Sequence, residues 1–340
     1  MTPPYMDLVD LAAERFGGAV VAANDEFFAA KENLIKREAP VWREGEYTER
    51  GKWMDGWETR RRRDMPAGGD PAAHDWCIVR LGARGIVRGV DVETTFFTGN
   101  YPEACAIDMC DLPARATGRD FEAATWRELL GITALKGDAH NPIDIAQAAP
   151  ASHLRLRIYP DGGVARFRAY GDVVADWNRL RQRGEVDLAA AEHGGVVVAC
   201  SDMFYGSRHK LIMPGDAINM GDGWETKRRR GPGHDWTIVR LAARGVVRRA
   251  EIDTRHYKGN APGECSLDAC VAATDDDTLV VGSSTEDNGP WRELLTRTTL
   301  QPHARQIFDR LHDIGSATHV RFNIFPDGGV GRLRLYGTPE

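Results

Sequence analysis

The sequence predicts an all-β protein made by tandem duplication of one jelly-roll β-sandwich. Three observations carry that expectation. The chain matches itself along its whole length, its apolar residues recur mostly with period two, and the alternating runs are short and bounded by Gly, Pro and Asp. Its 340 residues suit two domains of ordinary size, each able to bury a core.

The self-comparison runs in order. VDLAAERFGGAVVAANDEFF (9–28) returns as VDLAAAEHGGVVVACSDMFY (186–205), and DGWETRRRR (55–63) returns as DGWETKRRR (222–230). HDWCIVRLGARGIVRGVDVETTFFTGN (74–100) returns as HDWTIVRLAARGVVRRAEIDTRHYKGN (234–260), WRELL recurs at 126 and 291, and HLRLRIYPDGGVARFRAYG (153–171) returns as HVRFNIFPDGGVGRLRLYG (319–337). The offset falls from 177 to 166 through stretches rich in Gly, Pro and polar residues, as surface loops allow. Residues 1–171 and 186–340 are therefore expected to be two copies of one sandwich. The linker 172–185, with Val174, Trp177 and Leu180 at helical spacing, reads as a short connecting helix.

Within a copy, WCIVRL, IVRGVDVET, LRLRIYP and VARFRAYG read as strands. Helix is expected before Gly17 and around 122–130. The Pro-Asp-Gly-Gly turn between LRLRIYP and VARFRAYG reads as a β-hairpin.

Composition narrows the function. With 42% hydrophobic and 28% charged residues and a mean hydropathy of −0.42, the chain reads as soluble and globular. No apolar run reaches the roughly 18 residues of a membrane span, and MTPPYMDLVDLAAERFGG lacks the charged and apolar regions of an export signal. A cytoplasmic protein without a membrane partner is expected. The balance of 44 Lys+Arg against 50 Asp+Glu argues against a nucleic-acid partner. Six cysteines read as reduced, buried thiols; the five-residue spacing of Cys105/Cys110 and Cys265/Cys270 fits neither a zinc knuckle nor a redox pair.

Three polar constellations occur in both copies. The clearest is Asp55-Gly56-Trp57-Glu58-Thr59 with Arg60 to Arg63 and then His74-Asp75-Trp76; its second copy is Asp222 to Arg230 with His234-Asp235-Trp236. Arg60 and Arg61, or Lys227 and Arg228, suit a carboxylate, while Glu58, His74 and Asp75, or Glu225, His234 and Asp235, suit proton exchange. The structural alternative is a salt-bridged turn whose tryptophans pack into the sandwich. A second cluster, Asn24-Asp25-Glu26 with Lys31 and Asn33, corresponds to Ser201-Asp202-Met203 with His209 and Lys210. Its oxygens suit a hard cation or a polar ligand, or simply an Asx turn. The third comprises Thr94 to Asn100 and Asp253 to Asn260, where His256 replaces Phe96. Asp161-Gly162-Gly163 and Asp327-Gly328-Gly329 read as turn chemistry alone. There is no Walker loop, GxGxxG, HExxH or nucleophile elbow, and the histidines are dispersed. No cofactor is assigned, and a divalent metal stays open.

NDEFFAAKENLI, DGWETRRRR, HDW before an apolar strand and a T-x-x-[FY]-x-G-N-x-P loop, all repeated once, resemble the allantoicase family over residues 9–338. Each copy also resembles galactose-binding-like jelly rolls. The first resemblance implies hydrolysis of allantoate to ureidoglycolate and urea by a homo-oligomeric cytoplasmic enzyme. Such a site needs a cationic fork, an acid, a base and amide partners. Arg60 to Arg63 or Lys227 to Arg230 suit the fork, Glu58, His74, Asp75 or their counterparts the acid and base, and Asn24, Asn100 or Asn260 the ureido groups. Glu26 and His256 occur in different copies, so the site is either composite or confined to one copy. The competing expectations are a tandem carbohydrate-binding module and a non-catalytic scaffold.

Overall fold

The computed structural model describes residues 3–62, 72–146, 149–272, 277 and 290–340. The chain divides into two compact units, 1–174 and 175–340. Each unit is a β-sandwich of the same topology, with all its strand pairs antiparallel.

In the first unit the 19-residue strand Asp75–Glu93 belongs to both layers. Its first half lies between Ala19–Ala23 and Ala151–Tyr159, followed outward by Ala104–Cys110 and Arg127–Ala134. Its second half lies between Arg166–Val173 and Pro142–Asp144, with Val9–Asp10 at the far edge. The two stretches read from sequence as separate strands, WCIVRL and IVRGVDVET, are thus one strand turning a corner, as at the edge of packed sheets. Both its ends return to the same rim: Asp75 faces Ile158 and Glu93 faces Arg166, on either side of residues 160–165. The second unit repeats this with Asp235–Asp253.

Three expectations are corrected. Ala151–Tyr159 and Arg166–Val173 do not pair with each other; the Pro-Asp-Gly-Gly segment carries the chain from one layer to the other. Alternating strands flanking a turn look alike whether the turn closes a hairpin or bridges two layers. Gly162, at φ 139°, needs the freedom of glycine there, and a Cβ on Gly163 would stand 2.0 Å from the Phe97 ring. Second, the helix expected around 122–130 is the short helix Gly118–Ala123 followed by the strand Arg127–Ala134. The backbone of that strand completes the ladder of Ala104–Cys110, and this tertiary pairing outweighs the helix propensity of its Glu and Leu residues. Third, the helix expected before Gly17 is, among the described residues, the 3-10 turns Pro4–Asp7 and Glu14–Phe16 on either side of the strand Val9–Asp10. Between the copies, strand continues to Val173 and the helix Trp177–Arg181 is capped by Asp176, which accepts from the Arg179 amide at 3.0 Å.

The core sits between the layers. Leu154, Leu156 and Ile158 are fully buried, as are Val79, Val90, Ile107 and Phe167, while Arg155 and Arg157 alternate outward. Trp57 and Trp224 are fully buried; Trp76 and Trp236 lie half-buried on an outer face. Each core also holds an arginine that is almost completely buried. Arg166 donates to Asp55 at 2.8 Å and to the Glu38 carbonyl at 2.9 Å, and Arg332 donates to Asp222 at 3.0 Å and to the Gly215 carbonyl at 3.0 Å. These pairs fasten the loop that follows the segment 31–35, or 208–212, beneath the D-G-W turn. All six cysteines are free, and burial pushes the Cys105 and Cys265 thiols up to about 12.

Candidate active site

The D-G-W-E turn meets the rim of the sandwich where the long strand returns. Trp57 anchors it, donating from its indole to the Asp25 carbonyl at 2.8 Å. Trp57–Glu58 then pairs with Gly163–Val164 on one side, and Glu58 bridges to Ala29 on the other. Three segments distant in sequence are thereby held around the Glu58 carboxyl.

Asn100 donates to Glu58 Oε1 at 2.7 Å. Burial pushes the Glu58 carboxyl above its ordinary value, against the opposing pull of the Asn100 hydrogen bond and the Arg61 charge. Arg61 donates to Asp161 at 3.1 Å and to the Gly99 carbonyl at 3.3 Å, with 58% of its side chain exposed. The second unit matches the central pair: Asn260 donates to Glu225 Oε1 at 2.6 Å. Arg228 is exposed, and its guanidinium has no partner among the described residues.

The other expected residues are engaged by neighbours. Asp25 binds the Arg60 side chain through Nε at 2.8 Å and Nη2 at 2.7 Å, and accepts the Phe27 and Arg60 amides at 3.0 Å each. Burial would raise its pKa, but these donors overcome it and hold the carboxyl below the usual range. Asp202 keeps the two amide contacts, from Phe204 at 3.1 Å and Lys227 at 2.6 Å, and leaves the Lys227 ammonium without a side-chain partner among the described residues. Asn24 donates to Asp75 at 2.7 Å and accepts the Trp76 amide at 2.6 Å, while Arg62 donates to Asp75 at 3.0 Å. In the second unit Ser201 and Arg229 hold Asp235 in the same way. Asn24, Asp75 and Asp235 thus form struts under the rim.

His74 lies 5.3 Å from the Tyr159 ring centroid, with Nδ1 at 2.7 Å from the Ala72 carbonyl. His234 sits 4.6 Å from the Phe325 ring, with Nε2 at 3.3 Å from Asn323; burial lowers its pKa despite that bond. His256 adopts φ 76°, as its counterpart Phe96 does at 70°, and its Nε2 lies 2.9 Å from the Ala217 carbonyl. Glu26 pairs with Lys31 at 3.2 Å, and Asn33 donates to the Gly56 carbonyl at 2.9 Å. Arg63 lies outside the described residues.

Sequence reasoning missed Asp161. Its carboxylate is 2% exposed and receives the Arg61 side chain and, at 2.8 Å, the Arg62 amide, so it positions the arginine run as well as the turn. Asp327 receives the Arg229 amide at 2.7 Å. The recurrence of this Asp in both copies, opposite an arginine run, was the available signal. Among the described residues no group of three or more His, Cys, Asp or Glu side chains converges to hold a metal ion.

A duplicated jelly-roll sandwich with a half-buried carboxyl, a carboxamide and an arginine at one rim of each copy has the make-up of a tandem jelly-roll enzyme. The sequence matches the allantoicase family, described as the allantoicase repeat, over residues 9–174 and again over 186–340. The chain belongs to the allantoicase family. It is 46% identical to a probable allantoicase of Pseudomonas aeruginosa strain UCBPP-PA14, covering 99% of this chain and 98% of that protein. It is 44% identical to a probable allantoicase of Photobacterium profundum, over 98% and 97%. The crystal structure of allantoicase from Saccharomyces cerevisiae superposes with a TM-score of 0.78 at 31% identity, covering 97% of this chain and 92% of that one.

Proposed function

We propose that this chain hydrolyses allantoate to ureidoglycolate and urea, with Glu58 transferring the protons in the first repeat and Glu225 holding the same position in the second. The observation that carries the residue assignment is the Glu58 carboxyl: half-buried, held at one oxygen by Asn100, raised by burial and beside Arg61. A carboxyl with a raised pKa can deliver a proton near neutral pH and recover it from water afterwards.

Allantoate carries a carboxylate and two ureido groups on one carbon. As the carbon–nitrogen bond breaks, its electron pair goes to the departing nitrogen, which takes the Glu58 proton and leaves as urea. The lone pair of the remaining ureido nitrogen relieves the carbon as an acyliminium. Water adds its oxygen to that carbon and returns a proton to Glu58, giving the hydroxyl of ureidoglycolate. Arg61, fixed by Asp161 yet exposed, binds the substrate carboxylate, and Asn100 fixes which Glu58 oxygen faces the reaction. Asp25, Asn24, Asp75, Asp202 and Asp235 act as positioning residues. The six free cysteines support a reducing, cytoplasmic setting, and exposed Met203, Phe204 and Tyr205 support homo-oligomeric assembly.

The test is to incubate purified protein with allantoate and measure urea and ureidoglycolate, with and without a chelator. Equal release of both products is expected. Absence of urea in every condition overturns the proposal.

A further inference from the structure

Each D-G-W-E turn is flanked by an aromatic pair, Phe27-Phe28 in the first repeat and Phe204-Tyr205 in the second. Phe28 and Tyr205 donate their amides to the Glu58 and Glu225 carbonyls at 3.1 and 3.2 Å. In the first repeat residues 36–54 form a strap over the pair. A Cβ on Gly51 would stand 3.4 Å from the Phe28 ring, and the Arg50 guanidinium lies 5.7 Å from the centre of the Phe27 ring. Phe28 is half-buried and Phe27 is 38% exposed.

The second repeat passes from Ile212 to Asp222 with a much shorter loop and leaves its pair bare, Phe204 at 67% and Tyr205 at 63% exposure. Lys210 ties that loop to the segment after the pair, donating to the Gly221 carbonyl at 2.7 Å, and Gly206 bridges to Glu225. With Met203, Ile218 and Met220 also exposed, an apolar patch gathers beside Glu225. Such a patch on a globular protein marks an interaction surface. The rim is cationic as well. Lys227 and Arg228 are exposed without side-chain partners among the described residues, and Asp202 beside them is taken up by two backbone amides.

The first repeat shows what covers such a rim, and the strap carries the matching chemistry on its outer side. Val41, Trp42 and Tyr47 are 47%, 42% and 70% exposed; among the described residues the other large exposed apolar side chains are Phe27 and the single strand residues Val21, Ile132 and Ile307. Over residues 41–52 the cations are turned onto their own chain: Arg43 to Glu46 at 3.0 Å, Arg50 to the Phe27 carbonyl at 3.2 Å, and Lys52 onto the Trp42 ring at 4.0 Å. Glu44 and Glu49 are exposed there and have no partner among the described residues.

We infer that the second repeat takes its missing strap from another copy of this chain: residues 41–49 of one molecule lie on the Phe204-Tyr205 rim of the next, with Tyr47 against the aromatic pair and Glu44 and Glu49 facing Lys227 and Arg228. Apolar burial supplies the affinity, and the opposed charges fix the register. The two surfaces differ, so every chain both gives a strap and receives one, and the partner's strap completes the wall beside Glu225. The inference rests on the homo-oligomeric assembly proposed above and assigns its surfaces.

Sedimentation equilibrium of the full chain and its variants tests the contact. The parent is expected to assemble reversibly, and Tyr47→Ser and Phe204→Ser each weaken assembly about tenfold or more, as loss of a buried aromatic anchor does. Both side chains are mostly exposed in the single chain, so circular dichroism of the variants should match the parent. Mixed in equal amounts, the two variants form a mixed dimer that neither forms alone, because the intact strap of the Phe204→Ser chain meets the intact rim of the Tyr47→Ser chain. Glu44→Lys combined with Glu49→Lys weakens assembly through charge alone and replaces Tyr47→Ser in the mixture should that variant fold poorly. An assembled parent whose variants assemble equally well, or a mixture no more associated than its components, overturns the strap contact and leaves assembly through another surface. A monomeric parent overturns both the contact and the assembly, and urea release from allantoate by the same sample measures the hydrolysis separately.

Discussion

The first repeat has 19 residues between Ile35 and Asp55; the second has nine between Ile212 and Asp222. The additional residues include the small hairpin Tyr47–Thr48 and Gly51–Lys52. From it Arg50 donates to the Phe27 carbonyl at 3.2 Å and sits 5.7 Å from the Phe27 ring. Among the described residues the second repeat has no counterpart of this hairpin, and Phe204 and Tyr205 are 67% and 63% exposed. Around the central carboxylate the same contrast holds. Asn100–Glu58 and Asn260–Glu225 agree to within 0.1 Å, yet Arg60 and Arg61 are tied to Asp25 and Asp161 whereas Lys227 and Arg228 are untethered among the described residues. The duplicated scaffold fixes the acid–amide pair twice and leaves its surroundings to each copy. Preorganised cations lose less freedom on meeting a substrate, so the first repeat is the better candidate for turnover.

The sharpest way to break that comparison is to remove each carboxyl in turn. Glu58→Gln should lower kcat/KM for allantoate by ~10²–10⁴-fold, the usual worth of a positioned proton-transfer group, and Glu225→Gln should cost much less. Equal losses, measured by initial rates of urea release, would put both copies to work; no loss in either would remove the carboxyls from the chemistry.

The scaffold itself is predicted to be equivalent. Arg166→Met and Arg332→Met each leave a buried aspartate short of its arginine, at a cost of about 3–5 kcal/mol in denaturant unfolding. A large gap between the two variants would show that the copies do not share their core energetics.

The smallest effect concerns the edge strands. His140 Nδ1 lies 2.7 Å from Asp91 in the first repeat; in the second, Arg305 meets Glu251 and Asp253 from the equivalent edge. Burial lowers the His140 pKa, but the Asp91 hydrogen bond and charge outweigh it and the net shift is upward. Its contribution is therefore complete below the ordinary histidine pKa and fades as pH rises through the raised value. Because His140 is largely exposed, the effect stays below ~1 kcal/mol. His140→Arg should match the parent melting midpoint in mild acid and exceed it slightly in mild base. A pH-independent difference would contradict this.

Much of the fold was legible because period-two patterning and duplication are local or nearly so. The Leu154/Leu156/Ile158 alternation announces an inward face, and Trp57 beside Glu58 announces an anchored turn. What failed was partner choice. Nothing in LRLRIYP-DGG-VARFRAYG distinguishes a hairpin from a bridge between layers, and nothing in WRELL reveals the ladder it joins. The site divides in the same way. Glu58 and Asn100 were named from residue type, but the Asp161 contact to Arg61 spans 100 residues of sequence. The neutralisation of Arg60 by Asp25 depends on the chain path around Trp57.

The long strand shared by both layers also bears on how each unit opens. Neither sheet can fray without disturbing the ladder of the other, because Asp75–Glu93 supplies a central strand to both. The amides of the two sheets should therefore exchange with solvent as one cooperative block, and the rim that carries Glu58 inherits the protection of the whole sandwich rather than that of a surface turn.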